Sequence, residues 1–274
     1  MIDKTIYILR EVKARFKNPA VLWSTGKDST TMLHLIKSAF FGEVPFPVVH
    51  IDTGYKFPEI YEFRDRISKD WDLDLIIAKR DNADFHPDKV GHFNCCSELK
   101  TMALIDILKK HKFDALIMSI RRDEHYMRNL ERYFSPRDEK FNWHFVRRKT
   151  KNEMSQGDAP FVAQQQPELW DLFQTEFGED CNHVRVHPIL HWSELDVWKY
   201  IKDNNIPFNP LYLSKDGFRY RSLGCMPCTK PVKSSASNIY DIIKEIETSQ
   251  ESERSGRSQD KEGVLRKLRA LGYM

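Results

Sequence analysis

The sequence lacks any apolar run near the roughly 20 residues that a membrane helix needs, so no membrane association is expected. Its first residues, Met1-Ile2-Asp3-Lys4-Thr5, carry no signal-peptide core. Charge of one sign is scarce in excess: 43 Lys and Arg against 40 Asp and Glu leave +3, too little to force a nucleic-acid partner. A disulfide framework is missing as well. The five cysteines are an odd number and include the adjacent pair Cys95-Cys96, which suits metal or redox chemistry better. No internal repeat is found. These absences describe a cytoplasmic enzyme, and 274 residues allow one large domain with an appendage and a sizeable core.

Two nucleotide motifs are also absent. A Walker A loop needs two glycines with four residues between them and then Lys-Ser/Thr, whereas here one glycine precedes Lys27-Asp28-Ser29. The three spaced glycines of a dinucleotide fingerprint are missing too. What stands in their place is Ser24-Thr25-Gly26-Lys27-Asp28-Ser29. It directly follows apolar Ala20-Val21-Leu22-Trp23 and precedes a helical pattern of Met32, Leu33, Leu35 and Ile36. A strand, a tight glycine turn and a helix start offer backbone N–H groups to an anion. Lys27 adds a mobile positive charge, and Ser24 and Ser29 add hydroxyls, so phosphate is the natural guest. The plainer reading is a polar strand-to-helix turn.

Hydrophobic periodicity places this loop in a fold. Ile2, Ile6, Leu9, Val12 and Phe16 share one helical face. Short apolar runs predict strands at 20–23, 47–51, 73–78, 114–119 and 184–189, and helices are predicted at 57–71, 97–111 and 192–201. Such alternation predicts an α/β fold with a parallel sheet and helices on both faces. Ligands of such sheets sit beyond the carboxyl ends of the strands. Residues 24–29, 52–54 and 119–124 all fall there and define one crevice. The polar segment 149–166 reads as a mobile insertion or loop. We place the main domain at 1–223. The tail at 224–274 holds a cysteine turn, a helix near 238–248 and a basic helical end.

Several stretches resemble one family at once: Trp-Ser-Thr-Gly-Lys-Asp-Ser at 23–29, His-Ile-Asp-Thr-Gly-Tyr-Lys-Phe-Pro-Glu at 50–59, Tyr-Glu-Phe-Arg-Asp-Arg at 61–66, Arg-Arg-Asp-Glu at 121–124 and Pro-Ile-Leu-His-Trp-Ser-Glu-Leu-Asp-Val-Trp at 188–198. Together they resemble the phosphoadenylylsulfate reductase superfamily of ATP pyrophosphatases, and within it the small subunit of bacterial sulfate adenylyltransferase. Ser252-Glu253-Arg254-Ser255-Gly256-Arg257 and Leu271-Gly272-Tyr273 extend the likeness to the end of the chain. The resemblance implies an adenine nucleotide alpha hydrolase-like fold. It also implies cleavage of ATP between the α and β phosphates, adenylylation of an acceptor and release of pyrophosphate. Ser24, Thr25, Gly26, Lys27, Asp28 and Ser29 would hold the phosphates, with Thr25 where the family's Ser-Gly-Gly-x-Asp-Ser has glycine. Asp52 would close the pocket. Arg121 and Arg122 would face the reacting phosphate or the acceptor oxyanion and, with Lys27 and Asp28, are the expected catalytic residues, with Mg²⁺ bridging the leaving group. By residue type alone, Arg121-Arg122-Asp123-Glu124 also fits a salt-bridged surface loop.

Cys225-Met226-Pro227-Cys228 taken alone suits zinc, thiol redox chemistry or plain packing. With Cys95 and Cys96, at a predicted helix start, it makes a possible tetrathiolate set. That combination resembles the iron–sulfur adenylylsulfate reductases and implies a [4Fe–4S] cluster on Cys95, Cys96, Cys225 and Cys228. Cys181 remains a free thiol. No cysteine follows Cys228, so the thiosulfonate step of assimilatory reductases lacks its nucleophile. Plain sulfate adenylyltransferase small subunits do not carry the four-cysteine set. A phosphate loop with cluster ligands instead resembles ATP pyrophosphatases of tRNA thiolation and DNA phosphorothioation. The first expectation is therefore an iron–sulfur ATP pyrophosphatase of DNA phosphorothioation or related thiolation. Its partners would be a cysteine desulfurase and other sulfur-transfer or DNA-modification subunits. The second is sulfate adenylyltransferase with a GTPase subunit, and the third a nucleotide- and cluster-binding assembly subunit without turnover.

Two further features bear on the acceptor. Residues 137–151 interleave Arg137, Lys140, Arg147, Arg148, Lys149 and Lys151 with Phe141, Trp143 and Phe145, which suits nucleic acid or a half-buried segment with a basic face. His183, His187 and His191 are spaced by four, but Pro188 interrupts a helix through them, and they read as scattered polar residues.

Overall fold

The computed structural model of the chain describes residues 1–81, 84–125, 128, 131–142, 181–249 and 253–254. Helix α1 (Ile2–Arg15) precedes β1 (Pro19–Leu22), α2 (Lys27–Ala39), β2 (Val48–Asp52), α3 (Pro58–Asp70) and β3 (Leu75–Lys79). Helix α4 (Pro87–Cys96) runs through a π-helical turn, Ser97–Met102, into α5 (Ala103–His111), and β4 (Ala115–Ile117) follows. After β5 (Phe134–Arg137) and β6 (His183–Val186) come α6 (Glu194–Asp203), the small pair β7 (Phe218–Arg219) and β8 (Val232–Lys233), and α7 (Ile239–Thr248).

Six strands form one sheet in the order β3-β2-β1-β4-β6-β5. Every pairing is parallel except that of the edge strand β5 with β6. Strands covered on both faces read as continuous apolar runs. Within them, side chains still alternate between two layers. Val21, Trp23, Val48, Ile117 and Val186 face a core built by α1, α2, α3, α6 and Ile242 of α7. Ala20, Leu22, Val49, Leu116 and Met118 face the opposite layer, with Leu104 and Leu108 of α5. Helices thus cover both faces, as the periodicity predicts. No helix among the described residues is long and apolar enough to cross a membrane.

Two elements differ from the sequence reading. The helix predicted at 97–111 begins at Pro87, with His86 as its N-cap, and Gly91 at φ +79° kinks it. Cys95 and Cys96 consequently close α4 instead of opening a helix. Pro at the first helical position marks the true start, but Gly91 breaks the apolar period that would have revealed it. Strand β5 was not predicted at all, because Pro136 stands inside it. Only an edge strand tolerates that, and β5 is one. Arg137 closes β5 with 3% exposure, and its guanidinium donates to Ser135 Oγ at 2.7 Å. Phe141 is buried at 4% beside the His183 ring. These two members of the basic–aromatic stretch are interior residues and present nothing to nucleic acid. Lys140 is exposed. Residues 143–151, and the segment 149–166, lie outside the described residues.

Trp198 of α6 shows how the core holds the loop. It is fully buried, and its ring meets those of Phe208 and Tyr212 edge-on at 5.3 Å. Tyr212 in turn accepts a hydrogen bond from the Lys27 backbone N–H at 3.0 Å. Trp198→Ala is expected to cost about 3–5 kcal/mol in guanidinium unfolding. A loss under about 1 kcal/mol, within the usual range of surface substitutions, would refute this packing.

Candidate active site

The carboxyl ends of β1, β2 and β4 open onto one cleft. Leu22, Ile51, Leu104, Met118 and Leu223 give it an apolar wall, and Ser24, Gly26, Lys27 and Asp28 give it a polar end. An apolar slot ending in cations and backbone amides suits a nucleoside with a polyphosphate.

The loop between β1 and α2 is closed by its own hydroxyls. Ser29 Oγ accepts from the Ser24 N–H at 3.2 Å, lies 3.0 Å from Ser24 Oγ and donates to the Gly26 carbonyl at 3.2 Å. Thr25 stands at φ +65°, the left-handed region where the family pattern has glycine. A β-branched residue there costs about 1–2 kcal/mol. A Cβ at Gly26 would crowd two side chains, lying 3.3 Å from Tyr212 Oη and 3.4 Å from Ser24 Oγ.

Lys27 is not the mobile surface cation expected from the sequence. It is 1% exposed and sits in a closed ring of charges. Its ammonium donates to Asp28 Oδ2 at 3.0 Å and to Glu253 Oε1. Arg121, fully buried, donates from Nη1 to Asp28 Oδ1 and from Nη2 to Glu253 Oε2. Each carboxylate therefore bridges the same two cations. Arg121 Nε also donates to Asp123 Oδ1 at 3.0 Å, and Asp123 accepts the first N–H of α6 at 2.6 Å. A second charge group abuts the ring: Glu124 accepts from Arg128 and, at 3.3 Å, from Arg254.

Burial governs how these groups titrate. It works against the Lys27 ammonium, but Asp28 and Glu253 outweigh it and hold the lysine pKa above its ordinary range. For Asp28, burial outweighs Arg121 and Lys27 and pushes the carboxyl up. For Glu253 burial loses to Arg121 and Lys27, and the carboxyl is held far below the usual range.

The structure brings Ser24, Gly26, Lys27 and Asp28 together at the polar end of the cleft, with Arg121 fully buried behind them and bonded to Asp28 and Glu253. Thr25 and Ser29 are buried within the loop. Asp52 and Arg122 stand apart and do not line the cleft. The Asp52 carboxylate accepts from the Gly54 N–H at 2.9 Å and the Tyr61 hydroxyl at 2.8 Å, so it shapes the Asp-Thr-Gly turn. Arg122 donates to the Glu131 carbonyl at 3.1 Å and lies over the Tyr133 ring. Sequence reasoning missed Tyr212, Arg128, Lys100 and the ionic roles of Glu253 and Arg254. Only the last two carried a signal, as part of the stretch from 252 to 257 that resembles the family.

Beside the cleft, Cys95, Cys96, Cys225 and Cys228 line one small cavity with Thr53 and Lys100. The Cys-x-x-Cys turn is pinned there by the Met226 N–H donating to the Tyr55 carbonyl at 2.8 Å. Cys225 Sγ lies 3.2 Å from Thr53 Oγ1, and Cys228 Sγ lies 3.4 Å from His92 Nδ1. Burial, then the neighbouring Cys96, Cys225 and Cys228, push the Cys95 thiol up to about 12. None of the four is in a disulfide. Among the described residues, no three His, Cys, Asp or Glu side chains form a ready site for a single ion. Four thiols on one cavity are the donor chemistry of a thiolate-held group such as an iron–sulfur cluster. Lys100 lines both this cavity and the cleft. Cys181 is outside the set, with its thiol donating to the His183 carbonyl at 3.5 Å.

A mostly parallel sheet covered by helices on both faces, with a glycine turn and helix start at the end of its first strand, defines an α/β protein. The sequence matches the phosphoadenosine phosphosulfate reductase domain over residues 18–231, and the chain belongs to that family. It is 37% identical to sulfate adenylyltransferase subunit 2 of Zymomonas mobilis subsp. mobilis, over 98% of this chain and 95% of that protein. The fold is shared with phosphoadenylyl-sulfate reductase from Candida auris at TM-score 0.52 and 16% identity, over 83% of this chain and 90% of that one. It is also shared with Candida glabrata FMN adenylyltransferase in complex with ATP at TM-score 0.56 and 20% identity, over 84% of this chain and 62% of that one.

Proposed function

We propose that this chain cleaves ATP between the α and β phosphates and transfers the adenylyl group to sulfate, as one subunit of a sulfate adenylyltransferase. By family and relatives it is an ATP-using, adenylyl-transferring enzyme of sulfur metabolism. The observation that carries the cleavage step is Lys27 at the N-terminus of α2, on the polar end of an apolar cleft, with Arg121 behind it bonded to the same two carboxylates. The sulfate acceptor rests on similarity over nearly the whole length of the relatives.

The adenine lies along the apolar wall and the polyphosphate at the loop. Attack of a sulfate oxygen on the α-phosphorus forms one P–O bond and breaks the α–β bridge, whose electron pair leaves with pyrophosphate. Charge grows on the leaving group, and Lys27, Arg121 and the amides of the α2 N-terminus are fixed beforehand to stabilise it. Arg121 is held by Asp123 and Asp28, so little reorganisation accompanies the step. Mg²⁺ would neutralise the leaving pyrophosphate, and Asp28 supplies a hard oxygen donor at that end of the cleft. In this reading a GTPase subunit is the partner.

The cysteine cavity favours a second reading, in which the acceptor is a nucleic acid activated for sulfur incorporation, as in DNA phosphorothioation. Cys95, Cys96, Cys225 and Cys228 would hold a [4Fe–4S] cluster that supplies a site for handling sulfur. Lys100 joins that site to the nucleotide cleft, and a cysteine desulfurase is then the partner.

Anaerobic assays of pyrophosphate release decide between the two. The sulfate reading expects release to require sulfate and adenylylsulfate to accumulate, faster with a GTPase subunit present. Release without sulfate, together with binding of a cysteine desulfurase, overturns that reading in favour of thiolation. No release under any condition leaves only the assembly-subunit role.

A further inference from the structure

One vertex of the charge ring differs from the other three. Lys27 and Asp28 belong to the loop, and Arg121 follows β4, so all three are part of the sheet's crevice. Glu253 arrives from 226 residues away along the chain. Its carboxylate reaches both Lys27 Nζ and Arg121 Nη2, lines the cleft, and is itself only 5% exposed. Next to it, Arg254 docks on Glu124 at 3.3 Å. Adjacent charges of opposite sign thus latch one short segment onto two neighbouring ion pairs.

Two oxygens fixed between an ammonium and a guanidinium, at the N-terminus of α2, are the arrangement a terminal phosphate would adopt. The ring as it stands is neutral, with Lys27 and Arg121 against Asp28 and Glu253. Withdrawal of Glu253 leaves one net positive charge facing the cleft. A dianionic phosphate cannot share the seat with the carboxylate, since like charges at that range in a buried site repel strongly.

We propose that Glu253 is a tethered competitor for the pyrophosphate seat: it holds Lys27 and Arg121 when no nucleotide is bound, and the polyphosphate enters by displacing it together with Arg254. The exchange keeps the two cations paired throughout and never leaves a bare buried charge. It also sets a threshold for entry. A weakly held monoanion does not dislodge a carboxylate anchored at both oxygens, whereas a chelated pyrophosphate group does. The proposal rests on the reading that the loop binds the pyrophosphate portion of ATP.

The test uses the full chain and magnesium pyrophosphate as the probe. Glu253→Gln keeps the shape and removes the charge. If the seat is open a tenth of the time or less, titration calorimetry should show pyrophosphate binding about tenfold tighter to the variant than to the native protein. In the native protein, trypsin cleavage after Arg254, followed by mass spectrometry, should accelerate when pyrophosphate is added. This second measurement stands even if the variant does not fold. Equal or weaker binding by Glu253→Gln, or slower cleavage with pyrophosphate, overturns the displacement while leaving the pyrophosphate site intact. If pyrophosphate binds neither protein, the site reading and the proposal fall together.

Discussion

Lys27→Ala is expected to lower kcat/KM for pyrophosphate release by at least about 100-fold, the scale of losing one preorganised charge donor at a transition state. Lys27 lines the cleft, begins α2, and is held in place by Asp28 and Glu253 before any substrate arrives. The same substitution also strikes stability. It leaves two buried carboxylates sharing one guanidinium, and removing one partner of a buried ion pair costs about 3–5 kcal/mol. Loss of activity in Lys27→Ala alone would therefore mix two effects. The double variant Lys27→Met, Glu253→Gln removes one charge of each sign and keeps the ring neutral. Its guanidinium midpoint should return most of the way to that of the native protein, while pyrophosphate release stays lost. Turnover near the native rate in either variant would remove Lys27 from the chemistry and the phosphate-loop assignment with it.

The loop was legible in the sequence because its physics is local. Six consecutive residues between an apolar run and a helical period specify the strand, turn and helix start. The same holds for α6, whose capping box of Ser193 and Asp196 lies within four residues. What was not legible depends on distant partners. A lysine beside a glycine turn reads as solvated, and only Glu253 and Arg121, brought in by the tail and by β4, make it a buried one. Arg121 and Arg122 are neighbours of one type, yet backbone direction after β4 sends one into the charge ring and the other toward Tyr133. Asp52 reads as a cleft acid, but the Gly54 amide and the Tyr61 hydroxyl claim its oxygen first. Likewise Arg137 and Phe141 suit either a nucleic-acid surface or a half-buried segment by sequence, and the fold buries both. Thr25 is the opposite case: the sequence marks it as a departure from the family pattern, and its positive φ gives that departure a physical cost.

The cysteine cavity yields the sharpest remaining test. Cys95 and Cys96 close α4, Cys225 and Cys228 bracket a short turn, and the bond from the Met226 N–H to the Tyr55 carbonyl brings the two pairs to one place. Four buried thiols with no disulfide, gathered on one cavity, are a donor set for a thiolate-held group. A thiolate-held cluster gives all four a role, so protein purified without oxygen should be brown and carry about four irons and four sulfides per chain. Cys225→Ser or Cys95→Ser should each lose most of the colour and the iron. Cys181→Ser should retain both, because Cys181 bonds to the His183 carbonyl outside the cavity. Stoichiometric zinc with no iron in anaerobic material would replace the cluster with a structural metal. Metal-free protein with native unfolding behaviour would reduce the four cysteines to packing. Either result would remove the observation that favours a thiolated nucleic acid, and sulfate would stand as the acceptor.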